Sequence, residues 1–185
     1  MKPKSYPLPI RWLHWLMAFG FFLMWSSGYL MSHLVTEDSI LEGLLFSLHI
    51  SSGVSLLFLL LIRLLLRLIS NLPGPLPQHP RWQRKAAGLG HFSLYILPLL
   101  VIAIGWAETD FGGHGVRWFG LAMPKLFPTL ETLAGISLET VTETLHRWLA
   151  YLMLTVTLIH IGAVIQHERY ERGSVLPRML PDKPY

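Results

Sequence analysis

Four stretches of the chain are apolar enough and long enough to cross a membrane as helices. Leu, Ile, Val, Phe, Ala and Met dominate residues 10–31, 43–62, 86–107 and 148–167. Each stretch is close to the ~20 residues that an α-helix needs to cross the hydrocarbon core of a bilayer. With their less apolar ends included, the predicted spans are 10–31, 43–69, 86–107 and 140–167. The pattern predicts an all-α fold, a four-transmembrane-helix bundle in a single integral membrane domain over residues 1–185.

The segments between the predicted spans are polar and rich in Gly and Pro. Four prolines in residues 70–80 predict a stiff linker between spans two and three. The longer connection, 109–138, contains several Gly and Pro residues and predicts a loop with one short helix near 129–133. This connection is too short for a separate domain, so its residues are expected to cover one end of the helices.

The Lys and Arg residues are distributed unequally between the two predicted sides of the membrane. One side has only Arg117, Lys125 and Arg147. The other side has the remaining twelve of the fifteen: Lys2, Lys4, Arg11, Arg63, Arg67, Arg81, Arg84, Lys85, Arg169, Arg172, Arg178 and Lys183. The positive-inside rule places this basic side, and therefore both termini, in the cytoplasm. The net charge of +4 is explained by orientation in lipid, and no nucleic-acid partner is expected.

Composition narrows the chemistry that the chain can carry out. Hydrophobic residues make up 52% of the chain and charged residues 14%, which is outside the range of soluble domains of this size. Cysteine is absent, which excludes disulfides, thiolate metal sites, iron–sulfur clusters and covalent attachment of a c-type haem. The nine histidines are therefore the principal candidates for a functional site.

Apart from His167, the last residue of the fourth span, five histidines lie within the predicted spans: His14, His49, His91, His146 and His160. An ionisable side chain in a membrane is costly and usually functional, although a single histidine can equally serve as a hydrogen-bonding partner of a neighbouring helix. His146 and His160 are fourteen residues apart, which returns them to the same helix face at a separation of ~21 Å. One helix thus offers two ligands at two depths.

The direction of each span then pairs the histidines by depth. His49 lies at the outer depth of His146, and His14 lies at the inner depth of His160. Two axial imidazoles at each level suit a six-coordinate b-type haem, which favours electron transfer over oxygen binding. His14, His49, His146 and His160 are therefore the predicted iron ligands of two haem b groups.

His91 is a competing ligand because it lies at the same inner depth as His14 and His160. Span three has no outer histidine to match it. We interpret His91 as a hydrogen-bonding neighbour of a haem propionate or a quinone oxygen, and the alternative is that it replaces His160 on the inner iron.

Further cofactor-binding residues follow from the same helical repeat. Gly28 is fourteen residues after His14, and Arg63 is fourteen residues after His49. Gly28 and Gly53 would let a macrocycle approach the backbone, or would serve helix packing. Arg63 and Arg67 would bind the propionates of the inner haem, or would anchor the span at the inner surface.

Short motifs along nearly the whole chain resemble the bacterial cytochrome b561 family. The motifs are R-W-L-H-W at 11–15, L-H-I-S-S-G at 48–53, R-L-L-L-R-L at 63–68, G-L-G-H-F-S-L-Y at 88–95, W-F-G-L-A-M-P at 118–124, E-T-L-H-R-W-L-A-Y at 143–151 and L-P-R-M-L-P at 176–181. The resemblance implies a multi-pass protein of the bacterial inner membrane that binds two haems through His14, His49, His146 and His160. It also implies a superoxide oxidase that reduces ubiquinone.

Three functions remain open at this stage. The leading hypothesis is an oxidoreductase that oxidises superoxide outside and reduces ubiquinone, with Arg147, Arg117 and Lys125 attracting the anion near the outer haem. Because acidic residues outnumber these bases on the outer side, only a local attraction is expected, and the alternative for Arg147 is interface anchoring. The second hypothesis is a cytochrome subunit that links a redox partner protein, a dehydrogenase or hydrogenase, to quinone. The third is a histidine-dependent transporter, which the few other intramembrane charges disfavour.

Overall fold

The computed structural model describes residues 5–36, 39–74, 80–130, 132–170 and 175–180. These residues form four long helices, and each predicted span lies within one of them. A single 3-10 turn, Leu176–Arg178, follows the last long helix. The long helices are α1 (Leu8–His33), α2 (Ile40–Ile69), α3 (Arg81–Phe111) and α4 (Leu138–Tyr170). The predicted, predominantly helical fold is therefore confirmed.

Three of these helices, α2, α3 and α4, are long and apolar enough to cross a membrane. Their Leu, Ile and Phe side chains are largely exposed along the helix surfaces, as contact with lipid requires. Helix α1 is not among the three, because Trp, Ser, Gly, Tyr and His interrupt its Leu and Phe residues. That α1 also crosses the membrane stays a prediction.

The helices pack mainly with their neighbours in sequence, α1 with α2 and α3 with α4. The short connection between α1 and α2 favours their antiparallel arrangement. Close approach of α1 and α2 depends on Gly20, where an added Cβ would lie 2.9 Å from Leu56 Cδ2. The two helix pairs meet where α2 contacts α3, with Arg63 donating to the hydroxyl of Tyr95. They also meet through side chains of α4, since Tyr151 contacts Trp25 of α1 and His146 contacts His49 of α2.

Two short β-hairpins lie between α3 and α4. In each hairpin two residues with positive φ form the turn, Phe119 and Gly120 in the first and Ala134 and Gly135 in the second. This conformation gives the two-residue turn whose twist matches that of antiparallel strands. The strands are β1 (Arg117–Trp118), β2 (Leu121–Ala122), β3 (Thr132–Leu133) and β4 (Ile136–Ser137).

The short helix expected near residues 129–133 is therefore wrong. Thr132 and Leu133 form strand β3 because the tight turn at Ala134 and Gly135 pairs them with Ile136 and Ser137. Of these four residues, Thr132, Leu133 and Ile136 are not typical of turns, and Thr and Ile favour strands. The all-α prediction is accordingly qualified by two small hairpins.

The first hairpin and the segment after it are fixed to the helices by hydrogen bonds. Trp118 donates its indole N–H to Ser55 Oγ of α2 at 3.0 Å, and Ser51 Oγ accepts the amide N–H of Phe119 at 3.0 Å. The fully buried Asp110 of α3 accepts the amide N–H groups of two later residues, at 2.8 and 3.1 Å. The connection is thereby packed against one end of the helices.

Both chain ends meet at the opposite end of the helices. Trp15 of α1 donates its indole N–H to the carbonyl of Met179 at 3.0 Å. Arg178 donates to the carbonyl of Gly74 at 2.9 Å, and its own carbonyl accepts the amide N–H of Tyr6 at 3.1 Å. Part of the predicted proline-rich linker (75–79) and four of the basic residues lie outside the described residues: Lys2, Lys4, Arg172 and Lys183.

Candidate functional site

Five histidines of the helices form two groups at different levels, and two more, His33 and His167, lie in the last turns of α1 and α4. We call His49 and His146 the loop-side layer, because the hairpin connection lies at their end of the helices. We call His14, His91 and His160 the termini-side layer. Helix α4 is continuous from Leu138 to Tyr170, so the fourteen residues between His146 and His160 separate the layers by ~21 Å.

The loop-side layer has the dimensions of a two-histidine iron site. The ring centres of His49 and His146 are 6.1 Å apart, with 71° between the ring planes. A metal–imidazole bond of ~2 Å on each side, together with ~1.2 Å from each nitrogen to its ring centre, gives a separation of ~6.4 Å. One iron atom would therefore fit between these rings without a large movement of either helix.

Hydrogen bonds assign the tautomers of both loop-side histidines. His146 Nδ1 is 2.9 Å from the carbonyl oxygen of Val101, which can only accept, so Nδ1 carries the proton. His49 Nδ1 is 3.0 Å from Ser27 Oγ, whose own proton is donated to the carbonyl of Met24. With that proton engaged, we assign His49 Nδ1 as the donor, so that Nε2 of each ring is unprotonated and available as a ligand.

Two glycines provide the space for these rings. A Cβ added at Gly105 would lie 2.9 Å from both Cε1 and Nδ1 of His146, closer than such atoms approach in proteins. A Cβ at Gly28 would lie 3.3 Å from Cε1 of His49. The side chain that faces Gly28 is thus the imidazole of His49. Gly53, by contrast, contacts the side chain of Met24, which fits a role in helix packing.

Three histidine rings meet in the termini-side layer. The ring centres of His14 and His160 are 6.4 Å apart, and those of His91 and His160 are 5.6 Å apart. The first distance matches the ~6.4 Å expected for two imidazoles on one iron. It favours His14 and His160 as the ligand pair, with His91 beside them.

The termini-side layer also contains two arginines from α2. Arg63 is buried, and it donates to the carbonyl of Ile10 at 2.5 Å and to the hydroxyl of Tyr95 at 3.2 Å. Arg67 lies over the Tyr95 ring, 5.8 Å from its centre. Neither has a carboxylate partner among the described residues. A buried guanidinium needs a compensating anion, and a haem propionate would supply one.

One fourteen-residue step links the two layers on every helix. It joins His14 to Gly28 on α1, His49 to Arg63 on α2, His91 to Gly105 on α3 and His146 to His160 on α4. The sequence reasoning used this step for three helices and missed Gly105, although the same step from His91 leads to it. It also missed Ser27 and Tyr95, whose roles depend on contacts between helices.

The three basic residues predicted to attract an anion have different surroundings. Arg147 is half-exposed and forms an ion pair with Glu143, one turn earlier on α4. Lys125 donates to Thr129 Oγ1 at 2.6 Å. Arg117 is exposed on strand β1 and has no side-chain partner among the described residues. The charge of Arg147 is therefore partly neutralised.

Comparison with known proteins identifies the family. A family model for prokaryotic cytochrome b561 matches residues 5–182 of the chain. The chain belongs to the prokaryotic cytochrome b561 family. It is 31% identical over 179 residues to "Cytochrome b561 homolog 2" of Escherichia coli (strain K12), covering 96% of this chain and 92% of that protein. It is also 26% identical over 171 residues to "Probable superoxide oxidase CybB" of Yersinia pestis, covering 92% and 93%.

As a member of the cytochrome b561 family, the chain is a bacterial membrane protein of electron transfer that binds haem b. The residues described above fit such a group, since the paired rings have the right spacing and the loop-side tautomers leave Nε2 free. Among the described residues, no group of three or more His, Cys, Asp or Glu side chains, the three termini-side histidines included, is arranged to hold a metal ion by itself. A haem requires only two axial imidazoles, because the porphyrin supplies the remaining ligands of the iron.

Proposed function

We propose that this cytochrome b561 crosses the membrane four times, binds two haem b groups and transfers electrons from superoxide to ubiquinone. The observation that carries the proposal is the pair of histidine layers, ~21 Å apart on one continuous helix. When bound, the haems supply one-electron redox chemistry. The protein would hold one with His49 and His146 and the other with His14 and His160.

The proposed orientation places both termini in the cytoplasm. The N-terminal segment, the C-terminal turn and Gly74 meet at one end of the helices, and most Lys and Arg residues lie in the segments at that end. The positive-inside rule makes this the cytoplasmic end. The loop-side layer then faces the periplasm, and all four helices form a transmembrane bundle.

The proposed reaction balances when two superoxide anions are oxidised for each quinone. Each anion loses one electron and becomes dioxygen, and ubiquinone takes up two electrons and two protons to become the quinol. In this scheme His91, beside the termini-side ligands, donates a hydrogen bond to a propionate or to a quinone oxygen. Arg63 and Arg67 bind propionates of the same layer.

The superoxide part of the proposal has two supports. One relative carries the name "Probable superoxide oxidase CybB". In addition, Arg117, Lys125 and Arg147 belong to the loop side of the molecule, where local positive charge would attract the anion. Because surface charges are screened beyond ~8 Å at physiological salt, this attraction operates only close to the site.

Rapid mixing of the purified oxidised protein with superoxide should reduce its haem, and added ubiquinone should then reoxidise the haem without a soluble partner. The rate should fall as salt increases. Arg147→Glu should lower the rate about 3- to 10-fold at low salt, because a carboxylate replaces the cation beside Glu143. Stopped-flow absorbance of the haem bands measures both steps.

Glu143→Gln is the matched control, since it leaves Arg147 without its partner carboxylate and should raise the low-salt rate. Both variants must first retain the haem content and spectrum of the parent protein. Haem reduction no faster than the spontaneous disproportionation of superoxide contradicts the oxidase proposal. Activity that returns only with a co-purifying dehydrogenase indicates a partner-dependent electron carrier instead.

A further inference from the structure

We infer that Ser27 is a positioning residue that lowers the reduction potential of the loop-side haem below that of the termini-side haem. The inference rests on the proposed binding of two haems. It concerns the direction of electron flow between the layers, which ligand pairing by itself leaves undetermined.

Both loop-side histidines donate their Nδ1–H to a fixed acceptor. In the tautomer assigned above, Ser27 Oγ accepts from His49, whose ring also reaches the carbonyl of Met24, and the carbonyl of Val101 accepts from His146. The Ser27 hydroxyl is itself held by the carbonyl of Met24 at 2.9 Å, so its lone pairs remain directed at His49. Donation from Nδ1 makes the imidazole a stronger electron donor through Nε2, which stabilises oxidised iron and lowers its reduction potential.

The termini-side histidines lack this support. Among the described residues, no hydrogen bond reaches the ring nitrogens of His14, His91 or His160, whose contacts are with other rings. Arg63 reaches the carbonyl of Ile10, one turn before His14, and Arg67 lies over Tyr95, one turn after His91. In the proposed arrangement these two arginines offset the negative charge of the propionates beside them, which favours the reduced, more negative iron and raises its reduction potential.

Charges near the loop-side layer act in the opposite direction. Glu108 interacts electrostatically with Glu143 and Glu139. Burial, together with these carboxylates, raises the pKa of Glu108 to about 7, so Glu108 carries only part of a negative charge near neutral pH. Arg147 offsets part of this negative charge through its pair with Glu143, and His114 lies 3.7 Å from Glu139. The carboxylates favour oxidised iron at this level.

Hydrogen bonding and charge therefore both give the loop-side haem the lower reduction potential. Electrons would pass from the loop-side layer to the termini-side layer energetically downhill. In the proposed orientation this is movement into the cell, which a membrane potential that is negative inside opposes. The difference in potential would offset that opposition.

Potentiometric titration of the purified holoprotein, followed by haem absorbance and by electron paramagnetic resonance, tests the inference. Ser27→Ala should raise the lower of the two midpoint potentials by ~40 mV. This shift corresponds to about a fivefold change in the equilibrium constant of a one-electron couple, which is the typical effect of one neutral hydrogen bond. The upper midpoint should stay in place. Ser27→Thr, which keeps the hydroxyl, should restore the original value.

Ser26→Ala is the matched control, because Ser26 is the exposed neighbour of Ser27 on the same helix. It should move neither midpoint. Two haems with equal potentials in the parent protein overturn the inference, as does a Ser27→Ala protein whose lower midpoint is unmoved or whose upper midpoint shifts. These results leave the proposed function in place. A parent protein with fewer than two haems overturns the proposed function and this inference together.

Discussion

His146→Ala and His49→Ala are each expected to remove the loop-side haem and to retain the termini-side haem, leaving about one haem per chain. Removal of a residue that hydrogen-bonds a metal ligand typically lowers metal affinity ~10- to 100-fold. Removal of the ligand imidazole itself is expected to lower haem affinity by more than this. His14→Ala and His160→Ala should remove the other haem instead. Pyridine haemochrome assays on purified protein give the haem content, and low-temperature spectra show which haem is absent.

His91→Ala is the discriminating variant for the termini-side layer. The ring separations of 6.4 Å from His14 to His160 and 5.6 Å from His91 to His160 lead us to expect that His91→Ala retains both haems. If His91→Ala removed a haem and His160→Ala did not, the assignment of His160 as a ligand would be wrong.

Gly105→Ala is expected to remove most of the loop-side haem, although the substitution adds only one methyl group. The new Cβ would lie 2.9 Å from the His146 ring. The His146 ring cannot easily move away, because its Nδ1 is hydrogen-bonded to the carbonyl of Val101, which lies one turn before Gly105 on α3. The His146 ring is therefore displaced from its position opposite His49. Haem content and the visible spectrum measure the loss.

Gly90→Ala on the same helix provides the control for Gly105→Ala. Beyond its chain neighbours and the adjacent backbone of its own helix, no atom of the described residues lies within 4 Å of a Cβ added at Gly90. Alanine is the better helix former by ~1 kcal/mol, so both substitutions favour helix α3 and only Gly105→Ala obstructs a ligand. Full haem content in the Gly105→Ala protein would contradict the importance of this contact.

The sequence predicts the helices and the pairing of their histidines because both depend on helix geometry alone. Apolar length indicates each span, and the fourteen-residue step from His146 to His160 fixes a common face and two depths. The structure brings His49 to His146 and His14 to His160, as that reasoning expects. The choice between His14 and His91 beside His160 is harder, because both residues occur at the same depth.

Features that depend on contacts between segments were not predictable in the same way. Ser27 is one of several hydroxyl residues in α1 and α2, and only the approach of these helices shows which one meets His49. The hairpin turns place Phe119 and Ala134 at positive φ, a conformation that neither residue type favours. The pair of Glu143 and Arg147, by contrast, has the four-residue spacing of a helix ion pair and was predictable from the sequence.

Quantitation of haem in the purified protein tests the two-layer account most directly. The account predicts two moles of b-type haem per mole of chain, released by acidic acetone because no cysteine is present to bind a haem covalently. The reduced-minus-oxidised difference spectrum should contain contributions from both haems. A colourless protein would contradict its function as a cytochrome, and a single haem per chain would contradict the assignment of two sites.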